Sequence, residues 1–424
     1  GFDLWEDAVE QKTMGQAMSQ VQRPGPETEA LLGGWLDGIP DGKPFFAFLH
    51  LFEPHSPYEP PEPFRTRYAA DPYAGEVAAA DAVVGSFLAR LKARGLYEKS
   101  LVVFLSDHGE GLGDHGENEH GIFLYREALH VPLLVKLPGG AFAGTSVKAP
   151  VQLTDVFATV GEALAIEGFP ETPGLVSLAA LARGEPAPER RIFAETFFPR
   201  IRFGWSELES VLDGRHHYIE APRPELYDLA LDPGEKTNLA PGKPGPLRAL
   251  KVELERRRIP FRGPGPVDAE QAKKLAALGY IGSRPPSEAE GAGARPDPKD
   301  VIGTLEPLRE GLGFLQSGRP AEAAAALRRL LAANPRVRDA WELLAQAELQ
   351  LGRGEEAIAA ARRLVDLSPE GATNALLAVA NIALQAGRVD EGIRNAEAAR
   401  ELGAPEADEV LARAYLAAGD RARA

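Results

Sequence analysis

From residue 301 to the end, the sequence repeats itself at a spacing of 34 residues. Gly318-Arg319-Pro320-Ala321-Glu322-Ala323 returns as Gly352-Arg353-Gly354-Glu355-Glu356-Ala357, and Asn334-Pro335 returns as Ser368-Pro369. A third copy, displaced by one or two residues, holds Gly387-Arg388-Val389-Asp390-Glu391 and Ala404-Pro405, and a fourth begins near Asp408. A period of this length is the mark of a solenoid of helix pairs, in which no pair can bury its apolar face alone and each stacks on the next. Three copies and a partial fourth are close to the minimum for such a stack. This segment has no lysine or histidine, and its 15 arginines nearly balance its 18 acids. A groove built from it therefore has no strong charge bias.

Upstream the pattern changes. Residues 283–300 hold Pro285, Pro286, Pro296 and Pro298 with Gly291 and Gly293 and no apolar periodicity, which predicts a linker. Residues 1–282 mix short apolar runs with amphipathic stretches. Phe45 to Phe52, Leu101 to Leu105 and Val131 to Val135 read as buried strands. Between the first two, Val77, Val84, Phe87, Leu88 and Leu91 mark one helix face, with Gly95 as its stop. A further helix starts at Thr154-Asp155, capped by Thr154, and carries Val156, Phe157, Val160 and Leu164. This alternation predicts an α/β domain with a mainly parallel sheet and flanking helices. The expected domains are 1–282, the linker 283–300 and the repeats 301–424.

The net charge of −15 makes nucleic acid and anionic lipid poor partners, and no apolar run approaches the length of a membrane span. With no cysteine, disulfides and thiolate chemistry are excluded within these residues.

Six of the eight histidines fall between His50 and His130. The second strand run leads into Ser106-Asp107-His108-Gly109-Glu110-Gly111-Leu112-Gly113-Asp114-His115-Gly116-Glu117-Asn118-Glu119-His120-Gly121. A strand ending in Asp-His-Gly presents a carboxylate and an imidazole at a sheet edge, a pair suited to a divalent cation, and Gly109 lets the backbone turn closely. The same residues also suit a loop cap and a surface histidine. His50, beside apolar residues on its strand, reads as a core histidine. His115 has two readings, orienting the loop or lining the pocket, and His130 reads as a packing residue. Tyr58, Tyr125 and Trp205 are candidates for a pocket mouth or, more commonly, for the core.

Two resemblances rest on these motifs. The 34-residue units resemble tetratricopeptide repeats, with Trp341, Leu344, Ala345 and Ala357 at packing positions and Glu348 where an aromatic is usual. The stretch from Ser106 through Val131-Pro132-Leu133-Leu134-Val135 resembles the metal-binding segment of sulfatases in the alkaline phosphatase superfamily. Phe45 through His55-Ser56-Pro57-Tyr58 is similar to a second motif of that family, a strand ending in Pro-His. Tyr73 to Gly85 with Asp81, then Thr154-Asp155, and then Glu225-Leu226-Tyr227-Asp228-Leu229 with Asp232-Pro233-Gly234-Glu235 and Asn238 follow in the family's order, over about residues 1–240.

The resemblance implies an alkaline-phosphatase-like sheet, here truncated at its N-terminal side, followed by an all-α solenoid. It makes Asp107 and His108 ligands of a divalent metal, calcium first, with manganese or zinc as alternatives. His55 then touches the transferred group or leaving oxygen, and His120 the anionic oxygens of the substrate. His216-His217 match a basic position on an edge strand. The family's adjacent aspartates and its Cys/Ser-x-Pro-x-Arg nucleophile, converted to formylglycine, are missing: there is no Asp-Asp pair, no cysteine, and no Ser or Thr in a Pro-x-Arg context. The expectation is a metal-dependent sulfuric ester hydrolase whose nucleophile segment lies upstream, inactive as this chain alone, with a repeat groove for a protein or peptide. A phosphoester or phosphonate hydrolase or transferase of the same superfamily and a non-catalytic repeat scaffold are the alternatives. The same resemblance implies a periplasmic, secreted or membrane-anchored setting.

Overall fold

A computed structural model describes residues 2–6, 23–170, 172–258, 295–367, 372–404 and 406–424. The stretch 283–294, Ser368-Pro369 and Pro405 lie outside them. The chain divides into two compact units that do not follow sequence order: one runs up to Asp107 and takes in Pro132–Glu189, the other takes in His108–Val131 and, among the described residues, 190–258 and the chain from 295 onward.

In the first unit, α1 (Gly25–Asp37) packs on α2 (Pro72–Ala93). Leu36, Ala79, Val83 and Leu91 are buried. Arg90 pairs with Glu29 at 3.2 Å and Asp37 at 2.9 Å. The Arg94 guanidinium donates to the carbonyls of Leu36 and Ile39 at the end of α1. Val77, expected on the core face of α2, is 43% exposed and Val83 takes its place; Gly95 stops the helix at φ 65° as expected. In α3 (Asp155–Ala163), Thr154 makes no side-chain cap; instead the buried Asp155 carboxylate accepts from Gln152 N at 2.9 Å and Val176 N at 3.0 Å. Phe157 and Leu164, placed in the core by periodicity, are 45% and 49% exposed.

The strands of this unit correct the expected parallel pairing. β1 (Val102–Leu105) and β2 (Leu133–Lys136) form an antiparallel pair in the register Val102↔Lys136 to Leu105↔Leu133. A parallel pair needs a crossover of a dozen residues or more, usually helical, whereas the segment between these strands is a folded-back loop whose one α-helical turn is Arg126–Leu129. The run Phe45 to Phe52 forms no strand in the described residues, with Phe46 and Phe48 each 64% exposed. The α/β class stands; the parallel ladder is absent among the described residues.

The second unit holds a feature that sequence periodicity did not announce, an antiparallel meander of β3 (Ile192–Thr196), β4 (Leu208–Leu212), β5 (His216–Glu220) and β6 (Glu225–Asp228) in spatial order. The six-residue α4 (Phe198–Phe203) connects β3 to β4, and α5 (Pro244–Arg257) covers one face. Successive residues along each strand serve opposite faces. Tyr218 and Leu226 join Leu250 and Leu254 of α5, while Ile219 and Tyr227 join a larger core.

That larger core contains Ile122 to Tyr125, Phe203, Trp205 and Leu208 together with Leu315, Leu327, Leu330, Leu344 and Ala345 from the repeats. The repeats are the helix pairs α6 (Glu306–Gln316) with α7 (Pro320–Ala333), α8 (Arg338–Gln350) with α9 (Gly354–Asp366), and α10 (Ala372–Gln385) with α11 (Val389–Glu401), followed by α12 (Ala407–Ala417). Consecutive helices pack on one another along the array, as the 34-residue period predicts. Glu348, where an aromatic is usual, is fully buried, and its carboxylate lies 2.6 Å from Arg328 and 3.4 Å from Arg353. Lys299, just before the array, donates to Glu225 of β6 at 2.7 Å. No helix among the described residues is long and apolar enough to cross a membrane.

Candidate functional site

Asp107 and His108 follow β1 directly, both exposed, at the point where the chain leaves the first unit. The loop 108–131 that follows is shaped by close backbone approach. Gly109 N donates to Ala128 O at 2.8 Å, and a Cβ on Gly109 would stand 1.9 Å from Glu127 O. Gly111 N donates to Glu119 O at 2.8 Å, and a Cβ there would stand 2.4 Å from Glu117 O. Leu112 N to Asn118 O at 3.0 Å and Gly113 N to Glu117 O at 2.8 Å complete a narrow fold-back.

This fold-back brings His120 to His108. The two rings stack with centroids 3.9 Å apart and planes 29° apart. Nδ1 of His120 lies 3.1 Å from Glu110 Oε1, whose carboxylate is nearly buried. Burial alone would lower the His120 pKa, but its bond to Glu110 and the charges of Glu110, Glu119 and Glu117 hold it above the usual imidazole range. Glu117 is buried and accepts from Ile122 N at 2.7 Å and Phe123 N at 2.9 Å. Loss of hydration outweighs those two bonds and pushes its carboxyl up to about 7. A ring whose protonated form is favoured by neighbouring carboxylates, beside a second imidazole, is suited to bind anionic oxygens and to pass a proton.

His55 belongs to the first unit. Its Nδ1 lies 2.7 Å from Ser56 O, its ring lies 4.3 Å from Phe52, and its backbone N donates to Glu76 Oε2 at 3.0 Å. Glu76, buried in α2, also accepts from Glu59 N at 2.7 Å, so one carboxylate ties down both ends of the 55–59 turn. Burial raises the Glu76 pKa against these bonds.

Several other histidines depart from expectation. His50 is exposed rather than part of the core, because its run has no neighbouring strand in the described residues. His216-His217 lie on β5, which is flanked by β4 and β6, so this is not an edge strand. His217 is buried, with Nδ1 2.5 Å from Glu235 Oε1 and no hydrogen-bond partner for Nε2 among the described residues. Tyr125 and Trp205 are core residues at 3% and 1% exposure. His115 bridges two segments: Nδ1 lies 2.5 Å from Glu127 and Nε2 3.1 Å from Glu235 O. Sequence reasoning also passed over Glu110, Glu117, Glu127 and Glu235. The signal was present as a high density of acids in a glycine-rich loop, but their partners lie up to 120 residues away.

Asp107 and His108 supply two metal donors of suitable type. No group of three His, Asp or Glu side chains placed to hold an ion occurs among the described residues. The pair therefore fits as part of a donor set and not as a whole one.

A sulfatase family model matches residues 2–166, and a tetratricopeptide repeat model matches residues 308–372. Among curated proteins, arylsulfatase K of Bos taurus is 28% identical over 198 residues, covering 43% of this chain and 35% of that protein. The ulvan-active sulfatase of Formosa agariphila is 26% identical over 270 residues, covering 56% of this chain and 49% of that protein. The chain thus spans about a third to a half of the length of these relatives. Among solved structures, phosphonate monoester hydrolase of Agrobacterium radiobacter is 22% identical with a TM-score of 0.47, over 56% of this chain and 61% of that one.

Proposed function

From a sulfatase-family segment over residues 2–166 and tetratricopeptide repeats over 308–372, we propose that this chain is part of a metal-dependent sulfuric ester hydrolase. The observation that carries the reading is the Asp107-His108 pair at the end of β1 with His120 folded back onto His108. In this reading Asp107 and His108 are two ligands of a divalent cation, calcium first, and the remaining ligands and a formylglycine nucleophile come from sequence outside these 424 residues. When bound, such a cation would polarise the ester's sulfuryl oxygens. His120, whose protonated form Glu110 favours, binds an anionic oxygen of the sulfate group. His55, whose ring is fixed by Phe52 and Ser56 O, assists the leaving oxygen. The domain division 1–282, 283–300 and 301–424 belongs to the same reading, with the repeat groove open to a protein or peptide ligand.

The test uses the parent protein on an aryl sulfate, a phosphate monoester and a phosphonate monoester. Asp107→Ala and His120→Ala are each expected to abolish or strongly reduce hydrolysis of the sulfate ester, with Asp107→Ala also lowering cation affinity. Preferred turnover of the phosphonate would move the reading to the related hydrolase named in the comparison, and unchanged rates in both variants would remove this loop from the chemistry.

A further inference from the structure

We propose that His115 is a positioning residue for the site above: as an imidazolium it staples the tip of loop 108–131 to Glu127 and to the 232–235 turn, and so fixes where His108 and His120 stand. The inference rests on that reading for what the loop does, and on geometry for how it is held. Both ring nitrogens face acceptors, Nδ1 the Glu127 carboxylate at 2.5 Å and Nε2 the main-chain carbonyl of Glu235 at 3.1 Å. A carbonyl only accepts, so Nε2 carries a proton; with a second proton on Nδ1 both contacts become donated hydrogen bonds, which the neutral ring cannot provide. The ring also stacks on Tyr125, with centroids 3.7 Å apart and planes 16° apart. Tyr125 is itself held by its hydroxyl to Glu225 at 2.7 Å.

The backbone gives a second, independent sign. His115 and Glu235 both sit in the left-handed region, at φ 51° and 52°. Neither is glycine, so each conformation carries strain that its surroundings must offset. Glu235 is locked by its carboxylate, which accepts from Arg126 N at 2.6 Å and lies 2.5 Å from His217 Nδ1. The clasp thus joins the loop tip, the loop's own exit at Arg126, β5 and the turn after β6.

The charged and titratable groups around His115 are Glu127, Asp114 and Lys236, which pairs with Asp114 at 3.5 Å, together with Glu235, His217 and Tyr125. Burial alone would lower the His115 pKa; Glu127 and the Glu235 carbonyl outweigh it and raise the pKa, with Lys236 opposing. The staple is therefore complete at low pH and loses one bond as pH rises through that raised value.

The experiment is amide hydrogen exchange on the 424-residue chain across this range, corrected for base catalysis, with imidazole 15N shifts of His115. Exchange of the Gly111 and Gly113 amides is expected to quicken about tenfold or more as His115 deprotonates, the scale of losing one charge-assisted hydrogen bond, while β4 and β5 amides hold. His115→Gln should exchange fast at every pH. Glu127→Gln, which retains an acceptor but removes the charge, should move the transition to lower pH. The proposal is overturned if His115 is neutral throughout, if loop exchange in His115→Gln matches the native low-pH rate, or if β4 and β5 lose protection equally. If His115→Gln does not fold, Glu127→Gln and the native 15N shifts decide. Because none of these readouts involves hydrolysis, a loop that behaves as proposed in an enzyme indifferent to Asp107→Ala would refute the functional reading alone.

Discussion

Replacing Trp205 by alanine tests whether the repeats form an independent arm or share a core with the β-meander. Trp205 is 1% exposed, packs tilted against Phe203 with centroids 4.6 Å apart, and belongs to one core with Leu327, Leu330, Val337 and Leu344 of the repeats. Beside it, Asn334 Nδ2 donates to Phe203 O at 3.5 Å, and Arg202 lies 3.3 Å from Asp339 of α8. A buried indole removes about 200 Å² from water. At about 25 cal/mol per Å² this is roughly 5 kcal/mol as an upper bound. Measured truncations of buried aromatics cost about 3–5 kcal/mol. A loss of about 3–4 kcal/mol is expected, a large share of the roughly 5–15 kcal/mol that stabilises a typical domain. The assay is denaturant unfolding followed by far-ultraviolet ellipticity, which reports the helices, and by the fluorescence of Trp341 in α8, with Trp5 and Trp35 changed to phenylalanine. Both signals should shift together to lower denaturant. If Trp341 and the helical signal kept their native midpoint, the repeats would fold on their own and the shared core would carry no cooperativity. By the same reasoning, deleting residues 301–424 would uncover the face of the meander that carries Ile219 and Tyr227.

Two further outcomes follow from the site loop. Gly109→Ala places a methyl 1.9 Å from Glu127 O, so the backbone must part and the Gly109–Ala128 bond fails; a cost of about 1–3 kcal/mol, seen as a lower melting temperature with lost amide protection at 109–121, is expected, and an unchanged melt would show that the close approach is not real. Glu117, with its carboxyl raised to about 7, holds its proton better folded than unfolded. Its contribution to stability is full below about pH 4.5 and is lost as pH rises to about 7. Glu117→Gln should remove that part of the pH dependence in thermal melts from pH 4 to 8, and an identical slope in the variant would contradict the assignment.

Much of this was legible in the sequence because it depends on local pattern. The 34-residue period required stacked helix pairs, and Ser106-Asp107-His108-Gly109 after an apolar run placed two donors at a strand end. The meander was not legible: its strands are four or five residues long and bury His217, Glu209, Glu225 and Asp228, so alternation of apolar and polar residues is erased. Nor were the partners of His115 legible, since Glu127 and Glu235 lie 12 and 120 residues away and only the folded chain brings them together. The direction of β1 against β2 failed for a related reason. Apolar runs report burial, while parallel or antiparallel pairing is decided by the path between them.

Glu348, enclosed between Arg328 of α7 and Arg353 at the start of the next helix, bears on how this array could diversify. Repeat proteins are often treated as strings of exchangeable units, lengthened or shuffled by recombination. Here a buried acid on α8 is balanced by Arg353 of its own unit and by Arg328 of the unit before it, so part of its balance depends on which unit precedes it. Placed behind a helix without an arginine at the position of Arg328, it would keep Arg353 but lose the nearer of its two partners. Order among the units is thus constrained on one side by a charge match: a unit carrying this acid can follow a helix with an arginine at the position of Arg328, as Arg362 would supply one period later, and is disfavoured behind any other.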